Sequence, residues 1–297
     1  MSPDELQVPP DAAGERLDAW VAGALGGSSR ARAASLIDGG DVLVDGQRRP
    51  KGHRLRGGER IAIQERRAPA LEDRPVPVAR IAWENDDLLV IDKPAGLVVH
   101  PASGHRGVTL VEQLARDAGE GWNPLAVHRL DRDTSGLMLV AKRAEVRDEL
   151  QQLIRSRRLV REYVALAEGR LRSRTGTIDA PLGRGVRDRT RMVVGGARSR
   201  EARTHFEVER FLEGFTLLRV RLETGRTHQI RAHFAAIGHP LAGDRAYGGR
   251  AILGLERQFL HSARIALRYS GEPAGVDVAS PLPRELAEAL HRAESGA

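Results

Sequence analysis

Apolar positions near the N-terminus recur with helical spacing. Leu17, Trp20, Val21, Ala24 and Leu25 form one stripe, and Gly26 and Gly27 close it. Ser28 and Ser29 offer caps for a second short helix through Ala33, Ala34, Leu36 and Ile37, stopped at Gly39 and Gly40. Val42–Val44 reads as a strand running into the turn pair Asp45-Gly46, and Arg60–Gln64 reads as another. The pattern predicts a compact α-α-β-β unit over residues 15–67, behind a flexible tail at 1–14. Pro69, Pro75 and Pro77, set among charges, place a linker at 68–79. In the larger part, 80–297, strands are expected at Leu88–Asp92, Leu97–Val99, Leu137–Lys142 and Val160–Ala167. Helical spacing links Val111, Leu114 and Ala115, and again Val146, Leu150, Leu153 and Ile154. Gly169–Arg203, rich in Gly, Arg and Ser, predicts exposed loops and a hairpin. Leu218, Val220 and Leu222 alternate with Arg219, Arg221 and Glu223, as in a half-buried strand. Thr227 is placed to cap a helix through Ile230, Phe234 and Ile237, ending at Gly238. Helices and strands do not alternate regularly, which favours an α+β fold with a mixed sheet over a doubly wound one.

Composition narrows the chemistry. The 297 residues hold no cysteine, which excludes disulfides, thiolate catalysis and Cys-ligated metals. No apolar run approaches the ~18 residues of a membrane-spanning helix, and the acidic, proline-containing start is unlike a secretory signal. A soluble, cytoplasmic protein without membrane attachment is expected, and a monomer, since no long exposed apolar stripe is visible. The net charge of +7 is concentrated: Arg155–Arg203 carries 14 Arg against 5 Asp+Glu, leaving the rest slightly acidic. Such an Arg field attracts polyanions by releasing their condensed counterions. It is also what a solvated surface looks like in a chain with 44 Arg and 3 Lys.

Several nucleotide and metal motifs fail. None of the three lysines is followed by Ser or Thr within a phosphate loop, and no Gly-x-Gly-x-x-Gly is complete. His228 and His233 lack the glutamate of a zinc-protease helix. The most informative segment is AVHRLDRDTSGLMLVAKR, Ala126–Arg143. Asp131 stands in a polar turn between Arg129 and Arg132, just before an apolar strand. A carboxylate among guanidiniums stays ionised and can act as a nucleophile or stabilise a cationic sugar transition state. By residue type alone a salt-bridged turn is the commoner reading. Asp133 reads as a turn residue rather than a second acid of a glycosidase-like pair.

HRLDRDTSG resembles the active-site signature of the RluA/RluD-type pseudouridine synthases. ENDDLLVIDKPAGLVVHP at Glu84–Pro101, REYVAL at Arg161–Leu166, LETGRTHQIRAHFAAIGHPLAGDRAYGG at Leu222–Gly249 and LHSARIAL at Leu260–Leu267 match the same family in order. The N-terminal RLDAWV, SSRARAASLI, GGDVLVDG and RIAI resemble a small RNA-binding module shared with a small-subunit ribosomal protein. The departures, SGEPAG after Tyr269 and the segments Arg172–Arg174 and Ala197–Glu201, bear on RNA choice more than on reaction type.

The resemblance implies a mixed, largely antiparallel central sheet with flanking helices. It implies isomerisation of RNA uridine to pseudouridine, with no cofactor and no metal. Asp131 would be the essential carboxylate, either attacking C1′ or assisting a glycal route. Tyr163 would lie against the base or assist proton removal, and Arg231 would pair with Asp131. Arg129 would hold the flipped-out nucleotide, Ile230 would wall the pocket, and His128, Arg226 and His228 would contact substrate or scaffold. Arg30, Arg32, Arg48, Arg49, Lys51 and Arg54 would serve the RNA-binding module. The expected partner is RNA, foremost large-subunit ribosomal RNA or a pre-ribosomal particle, with transfer RNA as an alternative. A catalytically silent RNA-binding assembly factor and a hydrolytic nucleosidase are the competing readings.

Overall fold

The computed structural model describes residues 4–25, 30–63, 77–100, 107–117, 122–186 and 188–296. The glycine and serine signals at 26–29 and the expected linker up to residue 76 lie outside them. The chain divides into an N-terminal unit and a larger one made of Pro77–Val99 and Leu110–Ala297. The larger unit therefore begins slightly before residue 80 and leaves out the stretch 100–109.

In the N-terminal unit, β1 (Asp4–Gln7), α1 (Leu17–Ala24), α2 (Arg30–Gly39), β2 (Val42–Val44) and β3 (Arg60–Ile63) follow in order. The sheet runs β1-β3-β2. Leu17 and Val21 of α1 and Ala33 and Ile37 of α2 close over Val42, Val44, Ile61 and Ile63. The flexible tail expected at 1–14 is corrected here. Asp4–Gln7 pairs antiparallel with β3, from Asp4 opposite Ile63 to Gln7 opposite Arg60. Backbone pairing to an open strand edge needs no apolar alternation, and one buried anchor, Val8, secures the segment. Asp45 and Gly46 both take positive φ, 48° and 76°, the tight turn their dipeptide signals.

The larger unit contains β4 (Arg80–Glu84), β5 (Leu88–Lys93), α3 (Leu110–Asp117), β6 (Leu125–Ala126), β7 (Ser135–Ala141), α4 (Ala144–Arg155) and β8 (Val160–Glu168). Next come β9 (Thr175–Asp179), β10 (Leu182–Arg184), β11 (Met192–Val194), β12 (Ala197–Arg200), β13 (Arg203–Leu212) and β14 (Phe215–Leu222). They are followed by α5 (Gln229–Ala236), β15 (Leu260–Tyr269), β16 (Glu272–Ala279) and α6 (Arg284–Ser295). One sheet runs β4-β5-β7-β15-β8-β14-β13-β9, with β16 beside β15 and β6 beside β7. Its pairs are antiparallel except β7 with β15, which are parallel. The fold is thus α+β with a mixed, mostly antiparallel sheet.

Strand β7 is buried along its whole length because both sheet faces are covered, so its sequence shows no polar alternation. Met138 and Val140 pack with Leu110, Leu114, Ile230 and Phe234 from α3 and α5. Leu137 and Leu139 face the other way, onto Val146, Leu150 and Leu153 of α4. Gly136, at φ 106°, lets β7 meet β15: a β-carbon there would fall 2.2 Å from the Ser262 carbonyl oxygen.

Three local expectations change. Leu97–Val99 forms no strand; Leu97 and Val99 are core residues of an irregular segment whose Leu97 carbonyl accepts from Lys93. Gly169–Arg203 holds β9 in the main sheet and a separate sheet ordered β11-β10-β12. His228, with left-handed φ 55°, and not Thr227, takes the position just before helix α5, and its side chain makes no capping hydrogen bond. Gln229 organises that turn instead, its Oε1 accepting from the Arg226 amide at 2.9 Å and Thr224 Oγ1 at 2.8 Å.

Candidate active site

The turn carrying Asp131 leads into β7 at the middle of the main sheet and is tied down from several sides. Thr134 N donates to Asp131 O at 3.1 Å. Lys93, fully buried at the end of β5, donates its ammonium to Arg132 O at 2.9 Å, Pro94 O at 2.8 Å and Leu97 O at 3.0 Å. Arg257 reaches Asp133 O at 3.0 Å and Ser135 Oγ at 3.1 Å. Three carbonyls around one ammonium fix the turn that presents Asp131. Lys93→Met would leave Pro94 O and Leu97 O without that donor, at about 1–3 kcal/mol each where water cannot reach, while Arg132 O keeps the Gly96 amide at 2.9 Å. A loss of about 3 kcal/mol in denaturant unfolding is the expected outcome, together with slowed turnover.

Asp131 faces a cleft enclosing about 470 Å³ of empty space, its open mouth included. The cleft is lined by Arg129, Leu130, Thr134, Arg161, Tyr163, Leu222, residues 225–231 and Leu260. Arg231 Nη1 donates to Asp131 Oδ2 at 3.2 Å. The remaining face of the same guanidinium is held bidentately by Asp244, with Nε to Oδ2 at 2.7 Å and Nη2 to Oδ1 at 2.8 Å. Burial works against the Arg231 charge, but the Asp244 and Asp131 carboxylates outweigh it and hold the guanidinium above its ordinary pKa. Arg231 is therefore a fixed cation between two acids, with the buried Asp244 as anchor.

His228 stands beside this pair. Its Nε2 is 4.0 Å from Asp131 Oδ1, and its Nδ1 is 2.9 Å from the Tyr247 hydroxyl. The Met192 amide donates to the same hydroxyl at 3.0 Å. The Tyr247 hydroxyl thus bridges the Met192 amide and the His228 ring, and the opposite ring nitrogen, Nε2, faces Asp131. Burial lowers the His228 pKa, with Asp131 opposing, which favours a neutral imidazole. The left-handed backbone of His228 is the kind of local strain that concentrates at working sites.

Of the residues singled out in the sequence, Asp131, Tyr163, Arg231, Arg129, Ile230, Arg226 and His228 all line the cleft. Tyr163 is buried, and burial raises its phenol above the ordinary value. Arg129 is exposed at the rim. Arg226 Nε is drawn toward Glu201 O at 2.9 Å. His128 does not join them. Its Nε2 accepts from the Leu139 amide at 3.2 Å, and burial pulls its pKa down to about 3; it supports β7 as a neutral ring. Asp133 is engaged by its neighbour Arg132, at 3.0 Å. In the N-terminal unit Arg48, Arg49, Lys51 and Arg54 are exposed, and Arg30 and Lys51 pair with Asp18 at 3.2 Å and Asp38 at 2.8 Å. The Arg32 side chain is outside the described atoms. Sequence reasoning missed Asp244, Tyr247, Lys93 and Arg161 as parts of the site, although each sits inside a segment that carried the resemblance.

A charge-paired aspartate, a buried tyrosine and an arginine fixed from behind thus share one cleft over the mixed sheet. Residues 87–236 match the RNA pseudouridylate synthase family, and residues 15–61 match the S4 domain. A ribosomal large subunit pseudouridine synthase D of Xanthomonas campestris pv. campestris is 40% identical, over 94% of this chain and 89% of its own length. An uncharacterized RNA pseudouridine synthase of Chloroflexus aurantiacus is 41% identical, over 98% and 93%. Among solved structures, human RNA pseudouridylate synthase domain containing 4 aligns with a TM-score of 0.59 at 25% identity, covering 71% of this chain and 92% of its own. The domain containing 1 protein gives 0.57 at 28%, covering 72% and 87%. The chain belongs to the RNA pseudouridylate synthase family: it is an isomerase acting on RNA, with an S4 RNA-binding domain at its N-terminus.

Proposed function

We propose that this enzyme isomerises uridines of large-subunit ribosomal RNA, free or in an assembling particle, and that Asp131 is its essential group. The observation that carries the reading is Asp131 held at 3.2 Å by an Arg231 that Asp244 fixes from behind. The target uridine leaves its stack and enters the cleft, as with other enzymes that act on a base. Arg129 at the rim holds the backbone of the extruded nucleotide. Tyr163, Ile230 and Leu260 receive the base, and Arg226 and His228 frame the sugar side. The N1–C1′ bond breaks with its electron pair going to the base. The Asp131 carboxylate meets the sugar, by adding to C1′ or by taking a proton from C2′; both routes use the same charged oxygen. The uracil turns and C5 bonds to C1′ as the Asp131–C1′ bond opens or Asp131 returns the C2′ proton; the C5 proton then departs and N1 regains one, so the product is an isomer. The ribosomal target is supported by relatives named as ribosomal large subunit pseudouridine synthases, such as the Xanthomonas protein. Action as a cytoplasmic monomer fits the few large apolar side chains exposed among the described residues.

The Arg-rich field places exposed guanidiniums on β12 and its surroundings, where Arg198 and Arg200 are solvent-facing. These and the module cations Arg48, Arg49, Lys51 and Arg54 grip phosphates, while the cleft performs the reaction. Removing residues 1–74 is expected to weaken RNA binding or alter target choice more than it slows the chemical step. Binding should fall steeply with salt, and the truncated chain should show a shallower slope of log affinity against log salt. Titrations of a ribosomal RNA fragment at several salt concentrations test this, and equal affinity and slope in both chains would remove the module role. Pseudouridine formation in the same fragment tests the activity, and free uracil as product would point to hydrolysis.

A further inference from the structure

Arg161 lies on β8 two residues before Tyr163. In a strand that spacing puts both side chains on one face, and both line the cleft. Arg161 is 3% exposed. Among the described residues no carboxylate lies within ion-pair distance of it. Nη2 reaches the Leu222 and Glu223 carbonyls only at 3.4 Å each, the weak limit of a hydrogen bond. Its Nε is buried with no acceptor. Nη1 has none among the described residues either and lies over Gly225, where a β-carbon would come within 2.8 Å of it. Glycine at 225 thus leaves this guanidinium its room.

The other cleft guanidiniums are committed or exposed. Arg231 spends Nε and Nη2 on Asp244 and Nη1 on Asp131, Arg226 turns toward Glu201 O, and Arg129 is at the rim. A buried cation without a counter-charge is costly to a fold, so its retention in a cleft asks for a ligand that supplies the charge. Burial lowers the Arg161 pKa, and a negative ligand would restore it.

We propose that Arg161 is a catalytic residue that donates to a carbonyl oxygen of the flipped-out uracil and stabilises the base as its anion. The inference rests on Asp131 acting on the sugar in this cleft. When N1–C1′ breaks, both bonding electrons go to the uracil, and the negative charge spreads from N1 onto O2 and O4. Between the apolar walls of Leu222, Ile230 and Leu260 water is a poor substitute for a fixed donor. A preset guanidinium is worth most where charge appears only as the bond breaks. The charge is consumed when C5 attacks C1′, and the neutral base then regains its conjugated ring by exchanging its C5 proton for one at N1.

The test is single-turnover cleavage of the N1–C1′ bond in the full chain, on RNA carrying uridine or 5-fluorouridine at the target. Fluorine stabilises the departing anion and reduces the need for a cation. Arg161→Met is expected to slow the uridine substrate by about 10²–10³-fold and the fluorouridine substrate by at least tenfold less. Its thermal midpoint should hold or rise, because an unpaired buried charge has been removed. Arg161→Lys, which keeps the charge, should lose less and show the same dependence on fluorine; it carries the test if the Met variant does not fold. Equal losses on both RNAs, or no loss on either, would overturn the proposal. Asp131→Asn should be inactive on both RNAs; if it turns over normally, the site assignment has failed and not the role of Arg161 alone.

Discussion

Asp131→Asn is expected to lower turnover by at least about 10⁴-fold, the scale on which removal of a central catalytic group acts, while RNA affinity changes only a few-fold. The amide is nearly isosteric and still accepts from Arg231 Nη1, now 3.2 Å away from the carboxylate, so the turn and the cleft keep their shape. What is lost is the charge that meets the sugar. Three groups outside the Asp131 side chain hold its turn, namely Lys93, Arg257 and the Thr134 amide, and they give the variant no reason to unfold. Nucleoside analysis of digested RNA gives the turnover, and filter binding gives the affinity. Loss of both together would indicate a collapsed site, and near-normal turnover would remove Asp131 from the chemistry.

The second large effect is expected at Asp244. Its side chain is 1% exposed and closes on Arg231 with two hydrogen bonds. Asp244→Ala leaves a buried guanidinium with only Asp131 to face, a change that costs about 3–5 kcal/mol. At about 2–4 °C per kcal/mol for a unit of this size, the thermal midpoint should fall by about 10 °C. Turnover should fall as well, because Arg231 is then free to shift and to engage Asp131 more fully. The paired replacement Arg231→Met with Asp244→Leu removes both buried charges. It should recover much of the midpoint and little of the turnover, separating the structural part of the pair from its part in catalysis. A midpoint unchanged in Asp244→Ala would mean that Arg231 is not anchored there.

The legible parts of the chain were those whose signal is local. The run LMLV after a polar turn is a buried strand whatever surrounds it, and β7 lies where that run predicts. Stripes such as Val146, Leu150 and Leu153 form the inner face of α4. Asp131 was marked by its turn and its flanking arginines, and the family resemblance supplied its proposed role. Pairings across the fold left no such mark. Asp244 sits in a polar loop 13 residues beyond Arg231, and nothing in its neighbours says which cation it holds. Arg161 at the start of an alternating strand reads as a surface cation until β14 and the loop after it close over it. His128 shared the motif with Asp131, but the β7 backbone at Leu139 claimed its imidazole. The short strands β9 to β12 lie in a segment, Gly169–Arg203, whose wealth of Gly, Arg and Ser resembles loops, and they became strands through pairing partners distant in sequence.

The most direct test of the central claim is to map pseudouridine across the ribosomal RNA of a strain deleted for this gene and complemented with wild type or Asp131→Asn. The prediction is that particular large-subunit positions lose pseudouridine on deletion, regain it with wild type and remain uridine with Asp131→Asn. Restoration by the asparagine variant, or a ribosomal RNA map untouched by the deletion, would contradict the account.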